Sequence, residues 1–199
     1  MKRLVCIVEG KGEVTAIPNL CSRILRHYLD DVAWIVDQDP IRQPRGKLVD
    51  EKDKSPLRRC HADGVRRAVL LARQTRRADA VLVLCDADDD CPATWGPDAA
   101  RVVTGLMLGD AVMAVCEYET WLLLNFAEEA VRRAGVRTPE SKRGAKEALA
   151  RLVPGYLPTT HQLSETRKID IALVRGRSDS FDKLVRALAT ISGMPLPDR

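Results

Sequence analysis

At 199 residues, 45% of them hydrophobic and 30% charged, the chain carries enough apolar material for one cored domain, which excludes intrinsic disorder and makes disulfide stapling unnecessary. No run approaches the roughly 18 apolar residues of a transmembrane helix, so no membrane partner is expected. The net charge of +4 is small but unevenly spread: eleven Lys/Arg meet six Asp/Glu from residue 142 onward, against twenty-one and twenty-two before it. A basic tail of this kind suits a polyanionic substrate, and it equally suits a solvated helix face.

Residues 1–10 (MKRLVCIVEG) begin basic and then apolar, but the apolar stretch is too short for a secretion signal and ends in an acidic-glycine turn. Residues 4–8 therefore read as a first strand buried on both faces, and the chain as cytoplasmic. From Glu13 the pattern turns helical, with Val14, Ile17, Leu20, Cys21, Ile24, Leu25 and Tyr28 on one stripe; Pro18 predicts a start or a kink nearby. A short strand is expected at 32–36. Residues 37–59, with Pro40, Pro44, Pro56 and Gly46 among many charges, read as a long functional or disordered loop. A helix follows at 61–77, with Val65, Ala68, Val69, Leu71 and Ala72 inward.

Residues 80–85 (AVLVLC) form the clearest buried strand. Beyond them come a helix at 99–107, a strand at 111–116 and a helix at 120–134. Strands alternating with helices predict a mostly parallel, four-stranded α/β sheet with right-handed crossovers. After Gly135 the character changes to short helices at 142–152, 170–173 and 181–191, separated by turns at Pro139, Pro154-Gly155 and Pro158. The expected organisation is a core at 1–135 and a basic helical extension at 136–199, packed as one compact unit. Six cysteines contain no C-x-x-C pair, and Cys60, His61 and Cys91 do not follow zinc spacing, so reduced core thiols are the better reading.

Three of the four strands end in carboxylates: Glu9-Gly10 after the first, Asp86-Ala87-Asp88 after the third, Glu117-Tyr118-Glu119 after the fourth. In an open parallel sheet, ligands bind beyond the carboxyl ends of the strands, and neighbouring strands lie about 4.8 Å apart. Carboxylates crowded so closely repel unless a cation joins them, and Mg²⁺ or Mn²⁺ prefers such oxygen ligands. The alternation of Asp86 and Asp88 suits a D-x-D clamp, and Glu13 can face the same pocket as Glu9. Gly10 and Gly12 would let the turn approach a metal or phosphate closely. Asp90 is a further candidate ligand, although an exposed loop acid is the plainer reading for it and for Asp89. Glu117 and Glu119 also stand at this edge, with their orientation open.

The spacing of VEGKGE followed by VLCDADDD resembles the Toprim domain, the catalytic fold of topoisomerases, primases and the OLD-type nucleases. More closely, EGKGEVTAIPNLCSRIL, VLCDADDDCPA, CEYETWLL, KRGAKEAL, GYLPTTHQ and SFDKLVRAL resemble a stand-alone prokaryotic Toprim-like family, domain of unknown function 4276. The resemblance implies a Toprim-like (Rossmann-like) sheet with Glu9 as general acid/base or metal ligand and Asp86 and Asp88 as metal ligands. Glu13 maps onto the second glutamate of the OLD-type arrangement. Those nucleases use two metals, which activate water and stabilise the departing oxygen, and a downstream lysine, for which Lys142 and Lys146 are the candidates here.

The leading expectation is thus a Mg²⁺- or Mn²⁺-dependent nuclease acting on DNA or RNA. With no G-x-x-x-x-G-K-[ST] in the chain, any ATPase would be a separately encoded partner. The alternatives are a catalytically silent Toprim-like binding module of an ATPase complex, in a defence or toxin-like system, and a phosphatase using Asp86 as nucleophile. A homo-oligomer is compatible with any of the three.

Overall fold

The structure, a computed structural model, describes residues 1–52, 58–141 and 143–198. Its centre is a five-stranded, wholly parallel sheet made of β1 (Lys2–Val8), β2 (Trp34–Val36), β3 (Ile41–Arg42), β4 (Ala80–Asp86) and β5 (Leu108–Ala114). The order is β2-β1-β4-β5. The first part of β1 pairs with β2 (Lys2↔Trp34) and its last part with β3 (Ile7↔Ile41), so these two short strands share one edge of β1. The fold class is the expected α/β one, with β3 as an added strand.

Both faces of the sheet are covered, which explains the unbroken apolar runs of β1 and β4. Alternate residues divide between two cores. Leu4, Cys6, Val8, Leu82 and Leu84 face α1 (Glu13–Arg23) and the later helices, whereas Val5, Ile7, Val81, Val83 and Cys85 face α2 (Ala62–Thr75) and α3 (Pro92–Thr104). The first of these cores continues into α4 (Tyr118–Leu124), α6 (Ala145–Leu152), α8 (Ile171–Arg177) and α9 (Asp179–Ser192), through Trp121, Leu149, Val174, Phe181 and Leu188. The C-terminal helices therefore share a hydrophobic core with the sheet. Trp121 packs edge-on against Phe181 with ring centroids 5.3 Å apart, and its Nε1 donates to Ser180 Oγ.

Several boundaries differ from the sequence reading, each for a local reason. α1 continues through Pro18 and closes with a π-helical turn at Ile24–Tyr28. α3 starts at Pro92, because a proline at the first helical position loses no hydrogen bond there. The strand expected at 111–116 ends at Ala114, since Cys116 adopts a left-handed backbone at φ +60. The helix expected at 120–134 breaks into α4 and α5 (Glu128–Arg133), and Pro158, read as a turn, opens α7 (Pro158–Thr166). Leu71, expected inward on α2, is 43% exposed.

The segment 37–59 is the largest departure. Its described part holds β3, a 3-10 turn at Arg45–Lys47 and an antiparallel bridge from Val49 to Cys60; residues 53–57 lie outside the described residues. Leu48 and Val49 are fully buried, and Trp95 Nε1 donates to the Leu48 carbonyl at 2.9 Å. This anchorage sends Arg45 across the carboxyl edge of the sheet. All six cysteines are free and five are buried, as core thiols should be. Among the described residues no helix is long and apolar enough to cross a membrane.

Candidate metal centre

The chain reverses its direction of growth at β1, whose neighbours are β2 on one side and β4 on the other. The crevice at the carboxyl ends of β1 and β4 is therefore the place where this topology opens a ligand site. A cleft of about 490 Å³ opens there, lined by Gly10, Lys11, Gly12, Glu13, Asp86, Asp88, Glu117, Glu119, Arg143, Lys146, Glu147, Pro158, Thr159 and Gln162. It draws together three strand ends and two of the C-terminal helices.

Local structure sets each acid. Glu13 opens α1 and folds back over the turn, so that its Oε2 accepts from the amides of Glu9 (3.2 Å) and Gly10 (3.1 Å). Asp86 ends β4, and its Oδ1 accepts from the Tyr118 amide at 2.8 Å. The pairing of β4 with β5 continues past the strands through Ala87 N to Ala114 O and Asp88 N to Cys116 O. Asp88 (φ +52) and Cys116 (φ +60) both take the left-handed backbone that non-glycine residues seldom adopt, which turns Asp88 onto the cleft. Glu119 is buried and accepts from Tyr156 Oη at 3.0 Å. Glu117 directs both oxygens to the amides of Gly144 and Lys146 at the start of α6, an arrangement that ties this helix to the core.

The acids fall into two groups by electrostatics. Arg45 serves the outer group: it reaches Glu9 Oε2 at 3.3 Å, Asp88 Oδ2 at 3.4 Å and Asp90 Oδ2, and donates to the carbonyls of Asp86 (2.7 Å) and Ala87 (3.1 Å). Arg143 adds a contact of 2.8 Å to Asp88 Oδ1, and Arg58 one of 3.7 Å to Asp90. The inner group is Glu13, Asp86 and Glu119. Among the described residues, none of these three has an ion pair with lysine or arginine within 4.0 Å.

This asymmetry shows in the acidities. Burial, reinforced by the charge of Glu9, pushes the Glu13 carboxyl up to about 7 despite its two backbone amides. Asp86 is raised well above the carboxylate range by burial and then by Glu13, Glu119 and Glu9. Burial also raises Glu119, and it raises Glu9, where Arg45 pulls in the opposite direction.

A hard divalent cation fits this donor set. The three inner carboxylates repel one another with no lysine or arginine ion pair among the described residues, Glu119 being eased by the Tyr156 hydroxyl and the more distant Lys146, and Gln162 presents a buried side-chain oxygen with no partner. Among the described residues no three His, Cys, Asp or Glu side chains already stand close enough together to grip an ion. An ion bound here would need the carboxylates to move, and Glu9 and Asp88 contact Arg45 in this structure.

A pH prediction follows from Glu13. Its pKa is raised on folding, from 4.5 to about 7, so the folded protein holds this proton more tightly than the unfolded chain. The associated stability is present below pH 4.5 and is lost as pH rises through about 7. At about 1.4 kcal/mol per unit this amounts to roughly 3 kcal/mol. In EDTA, Tm is expected to fall by several degrees between pH 5 and pH 8, with a shallower fall in Glu13→Gln. Equal slopes for the two proteins would show that Glu13 stays ionised in the folded state.

The cleft brings together Gly10, Gly12, Glu13, Asp86, Asp88, Glu117, Glu119 and Lys146 of the sequence-predicted residues. Glu9 belongs to the Arg45 side, and Asp90 lies in a neighbouring depression with Pro92 and Glu140. Lys142 lies outside the described residues. The space that Gly10 and Gly12 leave open is occupied from within: a Cβ at Gly10 would meet Glu13 Oε1 at 2.6 Å, and one at Gly12 would meet Gln162 Oε1 at 1.9 Å.

Sequence reasoning missed Arg45, Arg143, Tyr156 and Gln162. A signal for three of them did exist. CEYETWLL supplies Glu117 and Glu119, KRGAKEAL supplies Arg143 and Lys146, and GYLPTTHQ supplies Tyr156, Thr159 and Gln162. Two of the motifs that carried the resemblance without an assigned role, KRGAKEAL and GYLPTTHQ, border this cleft, whereas SFDKLVRAL does not. No match is found among curated proteins, and none among solved structures. The profile of the family described as "Domain of unknown function (DUF4276)" matches residues 8–189, a span that includes every residue of the cleft, and the chain belongs to that family.

Proposed function

We propose that this protein is a divalent-metal-dependent phosphoryl-transfer enzyme of the Toprim kind, acting as a nuclease on DNA or RNA alongside a separate ATPase. The observation that carries the reading is the crowded carboxylate set Glu13, Asp86 and Glu119 at the carboxyl edge of the sheet, within a cleft bordered by the exposed cations Lys11, Arg143 and Lys146. Glu13 and Asp86 would hold the ion, joined by Glu9 and Asp88 once these leave Arg45. A bound Mg²⁺ or Mn²⁺ supplies Lewis-acid polarisation and neutralises charge on a phosphoryl group. Lys11 and Lys146, flexible and strongly hydrated, attract backbone phosphates to the mouth, and Arg143 can orient one through its planar fork.

The test is incubation of purified protein with single- and double-stranded DNA and RNA, with Mn²⁺ or with EDTA. Cleavage that requires Mn²⁺ and stops in EDTA is expected. Intact substrates throughout, together with no Mn²⁺ binding by calorimetry, would refute the reading.

One observation favours a second reading, a catalytically silent subunit of an ATPase complex: Arg45 already pairs with Glu9, Asp88 and Asp90 of the acidic cluster. Stable co-purification with an ATPase and no Mn²⁺ binding would support it. An aspartate-based phosphatase is the weaker alternative, because it gives no role to Glu9-Gly10 or to Glu117 and Glu119 at the same edge.

A further inference from the structure

Gln162 on α7 is only 2% exposed, and its Oε1 has no hydrogen-bond partner. Folded proteins leave few such groups, because a buried acceptor without a donor forfeits its hydration. Two observations put this oxygen at the wall of the acidic cleft. Gln162 lines the same cavity as Glu13, Asp86 and Glu119. A Cβ at Gly12, the residue immediately before Glu13, would lie 1.9 Å from Oε1 and 3.0 Å from the Pro158 carbonyl. Gly12 has an ordinary backbone (φ −67), so what disfavours a side chain there is this close approach of α7 and nothing in its own conformation. Asn19 Oδ1 and Thr120 Oγ1 are also buried without partners, but neither borders the cleft.

We propose that Gln162 is a neutral oxygen donor for the divalent cation of this cleft, meeting the hydrated ion from the α7 side. The inference rests on the metal reading above. An amide carbonyl is a hard donor of the kind Mg²⁺, Mn²⁺ and Ca²⁺ accept. It adds an acceptor without adding a further negative charge where three carboxylates already repel. In the metal-free protein that acceptor stays unsatisfied, so the residue costs stability and contributes to ligand binding.

The two effects make opposite predictions for Gln162→Met, which keeps an unbranched side chain of similar helix propensity and removes the acceptor. In EDTA the variant is expected to melt about 2–4 °C above wild type. By calorimetry it is expected to bind Mn²⁺ about ten-fold more weakly. A lower Tm, or a variant that does not fold, would show that the amide makes structural bonds and would overturn the proposal. Wild type and variant binding Mn²⁺ equally would overturn it as well, leaving the metal reading intact. Wild type that binds no Mn²⁺ would overturn the metal reading and this inference together.

Discussion

Asp86→Asn is expected to remove Mn²⁺ binding and to lower metal-dependent phosphodiester cleavage by about 10³-fold, while the metal-free protein becomes no less stable. Asp86 occupies the end of β4, between β1 and β5, and interacts with Glu13, Glu119 and Glu9 at once. Removing its charge deletes the donor common to the inner group. A bound metal contributes several kcal/mol to a phosphoryl transition state, and about 4 kcal/mol corresponds to 10³ in rate. The asparagine oxygen can still accept from the Tyr118 amide, so the start of α4 keeps its bond. Repulsion at Glu13 falls at the same time, and Tm in EDTA at pH 8 should equal or exceed that of wild type. This combination separates lost chemistry from lost folding. Mn²⁺ binding at wild-type affinity in Asp86→Asn would place the ion elsewhere.

β1 and β4 were legible because they are buried on both faces. LVCIV and AVLVLC have no alternation to misread, and their acidic ends mark the carboxyl edge of the sheet directly. Glu13, Asp86 and Asp88 were therefore accessible to pattern reasoning: each is within a few residues of a strand end, so local structure decides its position. Gln162 and Tyr156 were not accessible in that way. Their places depend on α7 packing against α1 and on α6 being tied to Glu117, contacts between residues far apart in the chain. No period or spacing encodes such contacts. The motif GYLPTTHQ was visible, but without the packing it had no address.

Arg45 illustrates the same limit more sharply. Between two prolines' influence and a glycine, it sits in a stretch whose composition signals loop, and a lone arginine there is usually solvated. What removes it from water is the anchorage of its neighbours, Leu48 in the core and Trp95 on the Leu48 carbonyl. The described part of segment 37–59 is accordingly less a free loop than a strap that carries Arg45, and Arg58 beside it, to the acidic edge.

The Arg45 cation sets up the second large effect. Arg45→Met is expected to lower the Tm of the metal-free protein and to tighten Mn²⁺ binding. The guanidinium contacts Glu9, Asp88 and Asp90 with its side chain 15% exposed. Breaking a buried ion pair from one side costs about 3–5 kcal/mol, and the lower end applies here because Asp88 keeps Arg143 and Asp90 keeps Arg58. For a chain of this size that is on the order of 10 °C in Tm. The carboxylates that lose Arg45 are freer to meet a cation, and Glu9 and Asp88 no longer have to leave that guanidinium first. Mn²⁺ should then raise the Tm of Arg45→Met more than that of wild type, because an ion that binds only the folded state stabilises it in proportion to its affinity. The comparison is a melting series of both proteins in EDTA and in increasing Mn²⁺. If the variant melts lower but gains no more from Mn²⁺ than wild type does, Arg45 is a structural clamp on Asp90 and the carbonyls of β4, and the ion does not compete for its carboxylates. If the gain is larger, the arginine is the cation that the metal displaces, and the acidic edge is built to exchange one for the other.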